Sequence, residues 1–146
     1  MGENLDPVHR PARITVKDFR ELLAAQHPFA AVLGAEILDI GHGTARLRLP
    51  ARDSHQRLGG IVAGPMLMGL ADLAMYAAVV GATGNPAAVT ASLTIHFLRK
   101  SPAGDVHADA RLLKVGRLSA GEAILTRPGS AEPLAHVVST WSVPKA

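Results

Sequence analysis

The sequence contains no cysteine among its 146 residues, and only 3% of its residues are aromatic. Without cysteine the chain can form neither a disulfide framework nor a thiolate zinc site, and it cannot use a cysteine nucleophile. The scarcity of aromatic side chains argues against a surface that stacks nucleobases, so we expect no nucleic acid as a partner. The N-terminus also lacks the apolar region of a secretory signal peptide, and we therefore expect a cytoplasmic protein.

Size and charge are those of an ordinary globular protein. A chain of 146 residues, of which 48% are hydrophobic, is long enough for one domain with its own core. We expect residues 1–13, which include Pro7 and Pro11, to form a flexible lead-in and residues 14–146 to form the domain. The net charge of +3 suits a small anionic ligand without requiring one. The seven histidines lack metal-ligand spacing, so we expect no metal.

The most informative segment is the apolar run from Ile61 to Val80, whose only charged residue is Asp72. An ionised aspartate in a buried helix is costly unless it is paired or used in chemistry. Gly64 and Pro65 resemble the N-cap and first position of a helix, and we predict a long central helix over about 64–81. Asp72 is therefore the first candidate for a functional residue.

The same run is long enough to cross a membrane, and Gly60 and Gly64 have the GxxxG spacing of paired membrane helices. Pro65 and Asp72 within the run, and the absence of flanking basic or Trp residues, argue against this interpretation. We favour a helix enclosed by protein, which is also apolar on all sides, and we expect no membrane as a partner.

The segments before this helix predict a small amount of regular structure. A capping-box pattern at Thr15 precedes a helical stripe that ends near His27. Residues Glu36 to Ile40 and Thr44 to Leu49 are predicted to form a hairpin. The polar segment 51–60 is predicted to be a loop.

The segments after the helix predict strands. Residues 89–98 show the clearest strand pattern of the chain, in which one set of residues alternates with another: Val89, Ala91, Leu93, Ile95 and Phe97 alternate with Thr90, Ser92, Thr94, His96 and Leu98. Further strands are predicted over 105–115, from the turn at Gly116 and Arg117 to Thr126, and over 134–143. Two strands, one long helix and four antiparallel strands predict an α+β fold, in which a curved sheet of five or six strands wraps around the helix.

Three short motifs accompany this order of elements: HQRLGG at 55–60, Gly64 at the start of the helix, and LAD at 70–72. Together they resemble the hot-dog-fold thioesterases, in particular the branch related to phenylacetate-degradation (PaaI-like) thioesterases. Residues 97–104 resemble the stretch after the family's third strand, where coenzyme A phosphates often sit. The resemblance spans roughly residues 28–143 and implies a hot-dog fold.

Three positions depart from the family pattern. Arg57 stands where the family has an Asn that helps to polarise the thioester, and Ala63 and Pro65 replace the motif's His and second Gly. The guanidinium of Arg57 can donate to a thioester carbonyl, to a substrate carboxylate or to a phosphate. The sequence leaves these three roles open.

The resemblance implies hydrolysis of an acyl-CoA to a free acid and coenzyme A, without a cofactor. This reaction needs a base or nucleophile, and donors aimed at the developing oxyanion. Asp72, with a pKa raised by its apolar setting, suits either of the first two roles, and the Gly64 N–H suits the oxyanion. The alternatives are a non-catalytic acyl-CoA-binding hot-dog protein and an enoyl-thioester hydratase, which would need a catalytic histidine better placed than His55.

Helix geometry adds an expectation about assembly. The eight residues between Gly64 and Asp72 correspond to roughly 12 Å along a helix and about 80° around it. Two such helices, antiparallel across a twofold axis, would bring Gly64 of one near Asp72 of the other, which gives two equivalent sites per homodimer. The resemblance implies the same dimer with a continuous sheet, and often a dimer of dimers (homotetramer).

The remaining candidates are assigned by position. Met68 and Tyr76 lie on the helical face of Asp72, where they would shape an acyl pocket or pack in the core. The substrate-binding candidates are His55, Arg57, Gly60, Met68, Tyr76, Thr90 and Ser92. Three basic residues are assigned to the coenzyme A phosphates, with simple solvation as the alternative: Arg99, Lys100 and Arg117.

Overall fold

The computed structural model describes residues 10–145, and its largest feature is a six-stranded antiparallel sheet. The strands are β1 (Glu36–Ile40), β2 (Thr44–Leu49), β3 (Gln56–Arg57), β4 (Ile61–Val62), β5 (Val89–Phe97), β6 (Val106–Lys114), β7 (Leu118–Thr126) and β8 (Pro133–Ser142). The helices are α1 (Val16–Gln26), α2 (Pro28–Leu33) and α3 (Gly64–Thr83). The sheet has the order β1-β2-β6-β7-β8-β5, and β3 and β4 form a separate ribbon. The predicted α+β fold with six strands and one long helix is confirmed.

α3 is the central helix, and its observed end at Thr83 lies slightly beyond the predicted one. Pro65 occupies its first turn, and Gly84 ends it in the left-handed conformation with a φ of 66°. By length and composition alone α3 could cross a membrane. Side chains such as Leu70 and Met75 are, however, completely buried against the sheet. The all-round apolar character of α3 is therefore that of a core helix.

Two short helices precede the sheet. α1 begins after Thr15, whose side chain accepts a hydrogen bond from Asp18 N at 3.0 Å, and this confirms the predicted cap. α2 was not predicted, since the helical stripe was expected to end near His27 with no helix after it. In the structure Pro28 starts a new helix, because a proline in the first turn has no N–H to leave unpaired.

The predicted lead-in lies largely outside the described residues, which begin at residue 10. Within the described part, Arg13 N donates a hydrogen bond to Gly81 O at 2.7 Å. The chain is thus bonded to α3 from Arg13 onwards.

The prediction of a continuous loop over 51–60 is partly wrong. Residues Asp53–His55 form a 3₁₀ turn, and β3 pairs with β4 across a turn that contains Gly59 and Gly60, whose φ values are 92° and 68°. Strands of two residues are too short for a sequence pattern to indicate them. The ribbon matters for function because it leads directly into the first turn of α3.

β5 departs from the strict alternation that the sequence predicted. Its register with β8 shifts between Thr90 and Ser92, which places a bulge at Ala91. Thr90 is paired with Trp141 and Ser92 with Thr140, and successive residues of β8 point to opposite faces of the sheet. Thr90 and Ser92 therefore lie on opposite faces, and the prediction that they share a face is wrong.

Candidate active site

Asp72 lies in the middle of α3 and is half-buried near β5. Thr90 Oγ1 donates a hydrogen bond to Asp72 Oδ1 at 2.7 Å. Burial raises the pKa of the Asp72 carboxyl above its ordinary value, and the hydrogen bond from Thr90 opposes part of this rise. The result is a carboxylate that is fixed in orientation and more basic than an aspartate in water.

A cavity of about 240 Å³ opens beside Asp72, and we call it the Asp72 cavity. Its walls come from α2, α3, β5 and β8 and are mainly apolar, with Leu33, Leu73, Val89 and Trp141 among them. An apolar cavity of about 150 Å³ is enough to hold benzene. The Asp72 cavity is therefore large enough for a small acyl group.

A second polar group lines the same cavity one helical turn beyond Asp72. Tyr76 Oη donates to Pro86 O at 2.7 Å, and His27 Nε2 lies 3.1 Å from the same oxygen. Because the single phenol proton is used on Pro86, His27 Nε2 must be the donor to Tyr76. Burial raises the pKa of Tyr76, which keeps the phenol neutral. The cavity thus has Asp72 at one position and a Tyr76–His27 pair at another, with apolar walls between them.

The N-terminus of α3 offers one free backbone donor. Met66 N and Leu67 N both donate to Ala63 O, at 3.0 Å and 3.4 Å, and Pro65 has no N–H. For the Gly64 N–H no acceptor is found within residues 10–145. A free N–H at the positive end of a helix dipole is suited to an anion or a developing oxyanion.

A second cavity, of about 430 Å³, lies at this end of α3, and we call it the Gly64 cavity. Phe97 lines it and packs over Gly64, so that a Cβ at position 64 would lie 3.2 Å from Phe97 Cζ. Any larger residue at position 64 would therefore require the Phe97 ring to shift by a few tenths of an ångström.

Three basic side chains line the Gly64 cavity: Arg57, Arg99 and Lys100. Arg99 is paired with Glu132 and also donates to the carbonyl of Pro133. For Arg57 and Lys100 no ion pair is found in the part of the chain that the structure describes. The cavity is therefore positively charged, and the helix dipole adds to this potential.

Asp72 and Gly64 line different cavities of the same chain. They are separated by two turns of α3, as the helix geometry predicted. One chain therefore presents its carboxylate and its free N–H to separate spaces.

Comparison with known proteins identifies the family of this chain. A family model described as "Thioesterase superfamily" matches residues 59–120, which include Gly64, Asp72 and Thr90. A crystal structure of a "putative thioesterase" from Silicibacter sp. TM1040 is 33% identical, with a TM-score of 0.82, and the similarity covers 92% of this chain and 94% of that one. The chain belongs to the thioesterase superfamily.

Two further similarities concern other members of this superfamily or proteins named as esterases. The phenylacetic acid degradation protein PaaI from Thermus thermophilus, solved as a mutant, is 27% identical with a TM-score of 0.72, over 80% of this chain and 99% of that one. A "putative esterase" of Saccharolobus solfataricus is 27% identical over 142 residues, which are 97% of this chain and 91% of the relative. The predicted resemblance to PaaI-like hot-dog thioesterases is confirmed, and acyl thioesterase activity in general is supported.

The structure separates the predicted substrate-binding residues of this thioesterase-superfamily protein. Tyr76 and Thr90 line the Asp72 cavity. Met68 is 42% exposed on α3 and lines neither cavity. Ser92 lies on the opposite face of the sheet from Thr90, where its hydroxyl is 2.6 Å from that of Thr140. Within one chain Ser92 is therefore not brought to Asp72.

His55 and Gly60 support the start of α3 and line neither cavity. The His55 side chain is buried, and this burial, together with the charge of Arg52, lowers its pKa. Its backbone carbonyl accepts a hydrogen bond from Ala63 N at 2.8 Å, while Gly60 O accepts one from Ala103 N at 3.1 Å. Both residues thus fix the segment that presents the Gly64 N–H.

The three residues predicted to bind coenzyme A do not lie together in one chain. Arg99 and Lys100 directly follow β5. Arg117 lies in the turn between β6 and β7, where its carbonyl accepts a hydrogen bond from Val143 N at 2.8 Å. Val143 directly follows the end of β8, which pairs with Val89 at the start of β5. Arg99 lies beyond the other end of β5, so Arg117 and Arg99 are separated by about the length of this nine-residue strand.

Several wall residues of both cavities were missed by the sequence analysis. His27 and Phe29 belong to the α1–α2 region, and Trp141 to the last strand. Their contacts with α3 are distant in sequence, so no local pattern connects them with Asp72. Phe97 could have been predicted as a wall of the Gly64 cavity, because it lies at the end of the predicted strand that directly precedes Arg99 and Lys100.

Metal ligands are not apparent in the described residues. No group of three or more His, Asp or Glu side chains within residues 10–145 is placed to hold a metal ion. The chemistry available at the two cavities comes from a carboxylate, hydroxyl groups, a backbone amide and basic side chains.

Proposed function

We propose that this protein is an acyl-CoA thioesterase whose active sites are shared by two subunits. The observation that carries the proposal is Asp72, a half-buried carboxylate with a raised pKa, bonded to Thr90 beside an apolar cavity. Thioester hydrolysis needs a base or nucleophile next to a space for the acyl group, and this arrangement supplies both. Membership of the thioesterase superfamily supports the same reaction class.

Two roles are chemically open to Asp72. As a general base it removes a proton from water, the water oxygen attacks the carbonyl carbon, and the C–S bond breaks to release the coenzyme A thiolate, which is then protonated. As a nucleophile it attacks the carbonyl carbon itself, and water hydrolyses the resulting anhydride. Both routes need the ionised carboxylate, and both benefit when Thr90 holds Oδ1 in a fixed orientation.

The Gly64 N–H is proposed to stabilise the oxyanion of the tetrahedral intermediate. It is a backbone donor with no acceptor found in the described chain, and it is positioned before the substrate arrives. A preorganised donor of this kind stabilises developing charge without reorganisation during the reaction.

The exposed edge strand β5 supports the proposed dimer. β5 closes one side of the sheet, so one of its edges is left without a strand partner in the chain. It is nine residues long, and Val89 and Phe97 at its ends are 58% and 52% exposed. Long uncovered edges promote pairing with another chain. Antiparallel pairing of two β5 strands would set two α3 helices antiparallel, with Gly64 of one subunit near Asp72 of the other.

Coenzyme A is proposed as the thiol because of the charge around the Gly64 cavity. Arg57 and Lys100 are exposed and lack an ion pair in the described chain, so they are available to phosphate oxygens. Arg99 would have to break its ion pair with Glu132 before it could bind a phosphate. Arg117 would contribute only if the dimer brings it to this end of a neighbouring sheet.

The direct test is release of free thiol from a panel of acyl-CoAs with short, long and aromatic acyl groups. We expect the wild type to hydrolyse at least one class, and Asp72→Asn to lower kcat by about 10²- to 10⁴-fold. Absence of thiol release across the panel with binding retained would contradict the proposal and favour the acyl-CoA-binding alternative. Hydration of an enoyl-CoA without thiol release would favour the hydratase.

The unfolding temperature of Asp72→Asn shows whether a loss of activity is caused by unfolding. Because the folded pKa of Asp72 is raised, the ionised side chain destabilises the fold at neutral pH, and this penalty disappears as the pH falls below the ordinary aspartate pKa. Asp72→Asn should therefore unfold at the same or a higher temperature than the wild type at pH 7. A loss of activity then reports the chemistry and not unfolding.

A further inference from the structure

Ser101 has a buried hydroxyl with no partner. The residue is 2% exposed, and no hydrogen-bond acceptor or donor for its Oγ is found among residues 10–145. An unpaired hydroxyl in a protein interior lowers stability, so one that is kept in a well-packed region calls for an explanation. The other buried serines of the described chain differ, since both Ser119 and Ser139 are hydrogen bonded.

The position of Ser101 is fixed by the segment that leads into α3. Its backbone carbonyl accepts a hydrogen bond from Val62 N at 2.8 Å, and the next residue, Pro102, forms a bridge with Ile61. Val62 precedes Gly64 by two residues, and Ser101 and Gly64 line the same cavity of about 430 Å³. The residue with the unpaired hydroxyl and the residue with the unpaired N–H therefore line one cavity.

We propose that the Ser101 hydroxyl is a second hydrogen-bond donor to the thioester carbonyl oxygen, beside the Gly64 N–H. This inference rests on the proposed thioesterase function. When the carbonyl oxygen becomes negative, it can accept more than one hydrogen bond, and each preorganised donor lowers the barrier further. The bond would also satisfy a hydroxyl that the free protein leaves without a partner.

Arg57 is the competing donor in the Gly64 cavity. Its side chain is exposed and belongs to a two-residue strand beside a glycine turn, so it must be ordered before it can donate to the carbonyl. Ser101 is already held by the hydrogen bond from Val62 N to its carbonyl and by the bridge between Pro102 and Ile61. A buried, immobile donor fits an oxyanion better, whereas a long exposed guanidinium fits a phosphate.

The experiment compares Ser101→Ala with wild type on the best acyl-CoA of the panel, and measures kcat, KM and the unfolding midpoint. We expect kcat to fall by about 10²-fold, with KM changed by less than about threefold, because the bond forms mainly in the transition state. The unfolding midpoint should stay the same or rise, since the variant removes an unsatisfied hydroxyl. Ser101→Cys, whose thiol is a weaker donor, should give an intermediate kcat.

Ser119→Ala is the matched control, because it also removes a buried serine hydroxyl. That hydroxyl is bonded to Gly116 N at 3.1 Å and Gly116 O at 2.9 Å, so its loss should lower the unfolding midpoint and leave kcat unchanged. A wild-type kcat in folded Ser101→Ala would overturn the inference and leave the proposed function intact. The inference would also be overturned if Arg57→Ala lowered kcat while Ser101→Ala did not. If the wild type hydrolyses no acyl-CoA, the proposed function itself has failed.

Discussion

Thr90 on β5 and Asp72 on α3 are joined by a 2.7 Å hydrogen bond that strict strand alternation would not allow. The bulge at Ala91 turns Thr90 to the inner face of the sheet, where Asp72 lies. Bulges often redirect a side chain next to a functional site. The bond also opposes the effect of burial on the pKa of Asp72, so Thr90 helps to set the pH at which the carboxylate ionises.

Replacing Thr90 should shift the pH dependence of hydrolysis. In Thr90→Val burial acts on Asp72 without the opposing hydrogen bond, so the pKa of Asp72 rises further. Because the ionised form is the active one, the acidic limb of the kcat/KM profile should move to higher pH, and the plateau should fall by about tenfold. Thr90→Ser keeps the hydroxyl and should retain the wild-type profile. A limb that stays in place or moves to lower pH would contradict this role.

Proline at position 64 removes the Gly64 N–H and adds a Cβ against Phe97, a contact that alanine at the same position also makes. Gly64→Pro deletes a donor that has no acceptor in the described chain, and Ala63, with φ −67° and ψ 141°, has the conformation that a residue before proline prefers. We expect kcat to fall by about 10²- to 10³-fold. Gly64→Ala is the control, since it adds the same Cβ against Phe97 but keeps the N–H. If both variants lose the same activity, the effect comes from crowding of Phe97 and not from the lost donor.

Shared active sites can be tested by mixing two inactive variants. If Gly64 of one subunit works with Asp72 of the other, a heterodimer of Asp72→Asn and Gly64→Pro contains one intact site. After unfolding and refolding an equal mixture, about a quarter of wild-type activity should return, because about half of the dimers are mixed and each has one working site out of two. Each variant refolded alone is the control. If sedimentation shows that the refolded mixture is dimeric but its activity does not recover, the Gly64 N–H and the Asp72 carboxylate of one site belong to the same chain.

The sequence predicted the fold well because its strongest patterns are local. The apolar run around Asp72, the hairpin at Glu36–Leu49 and the strand pattern over 89–98 depend on neighbouring residues, and the structure has a helix, a hairpin and a strand at these places. The cavity around Asp72 could not be predicted, because its walls join α2, β8 and α3. Even the position of Thr90 relative to Ser92 depends on a bulge that appears only when β5 is paired with β8.

If basic side chains bind the phosphates of coenzyme A, replacing them should raise KM for an acyl-CoA but not for a thioester without phosphates. Arg57→Gln and Lys100→Gln should each raise KM for an acyl-CoA by about fivefold, the effect of losing one exposed charge contact worth about 1 kcal/mol. The same acyl group on N-acetylcysteamine, a truncated thiol without phosphates, should show unchanged KM values. The increase should diminish at high ionic strength, because salt screens exposed charges. Equal effects on both substrates would indicate that these side chains contact the acyl or thioester group.

The close packing of α3 against the β1–β2 turn predicts an unusual response to a helical Gly→Ala change. In most helices this substitution stabilises the fold by about 1 kcal/mol. A Cβ on Gly81, however, would collide with the carbonyl oxygen of Gly41 and lie 2.8 Å from Ile40 Cγ2. Because a backbone atom cannot move aside, we expect Gly81→Ala to lower the free energy of unfolding by about 1–3 kcal/mol in urea titrations.

Gly69→Ala is the matched control on the same helix. There the added Cβ would lie 3.3 Å from Leu33 Cδ1, the end of a side chain that can shift slightly, so the helix propensity of alanine should dominate. We therefore expect the two variants to change the free energy of unfolding in opposite directions. Equal stability of Gly81→Ala and Gly69→Ala would mean that the β1–β2 turn yields to the helix, and that the sheet does not hold α3 as tightly as the contact at Gly81 indicates.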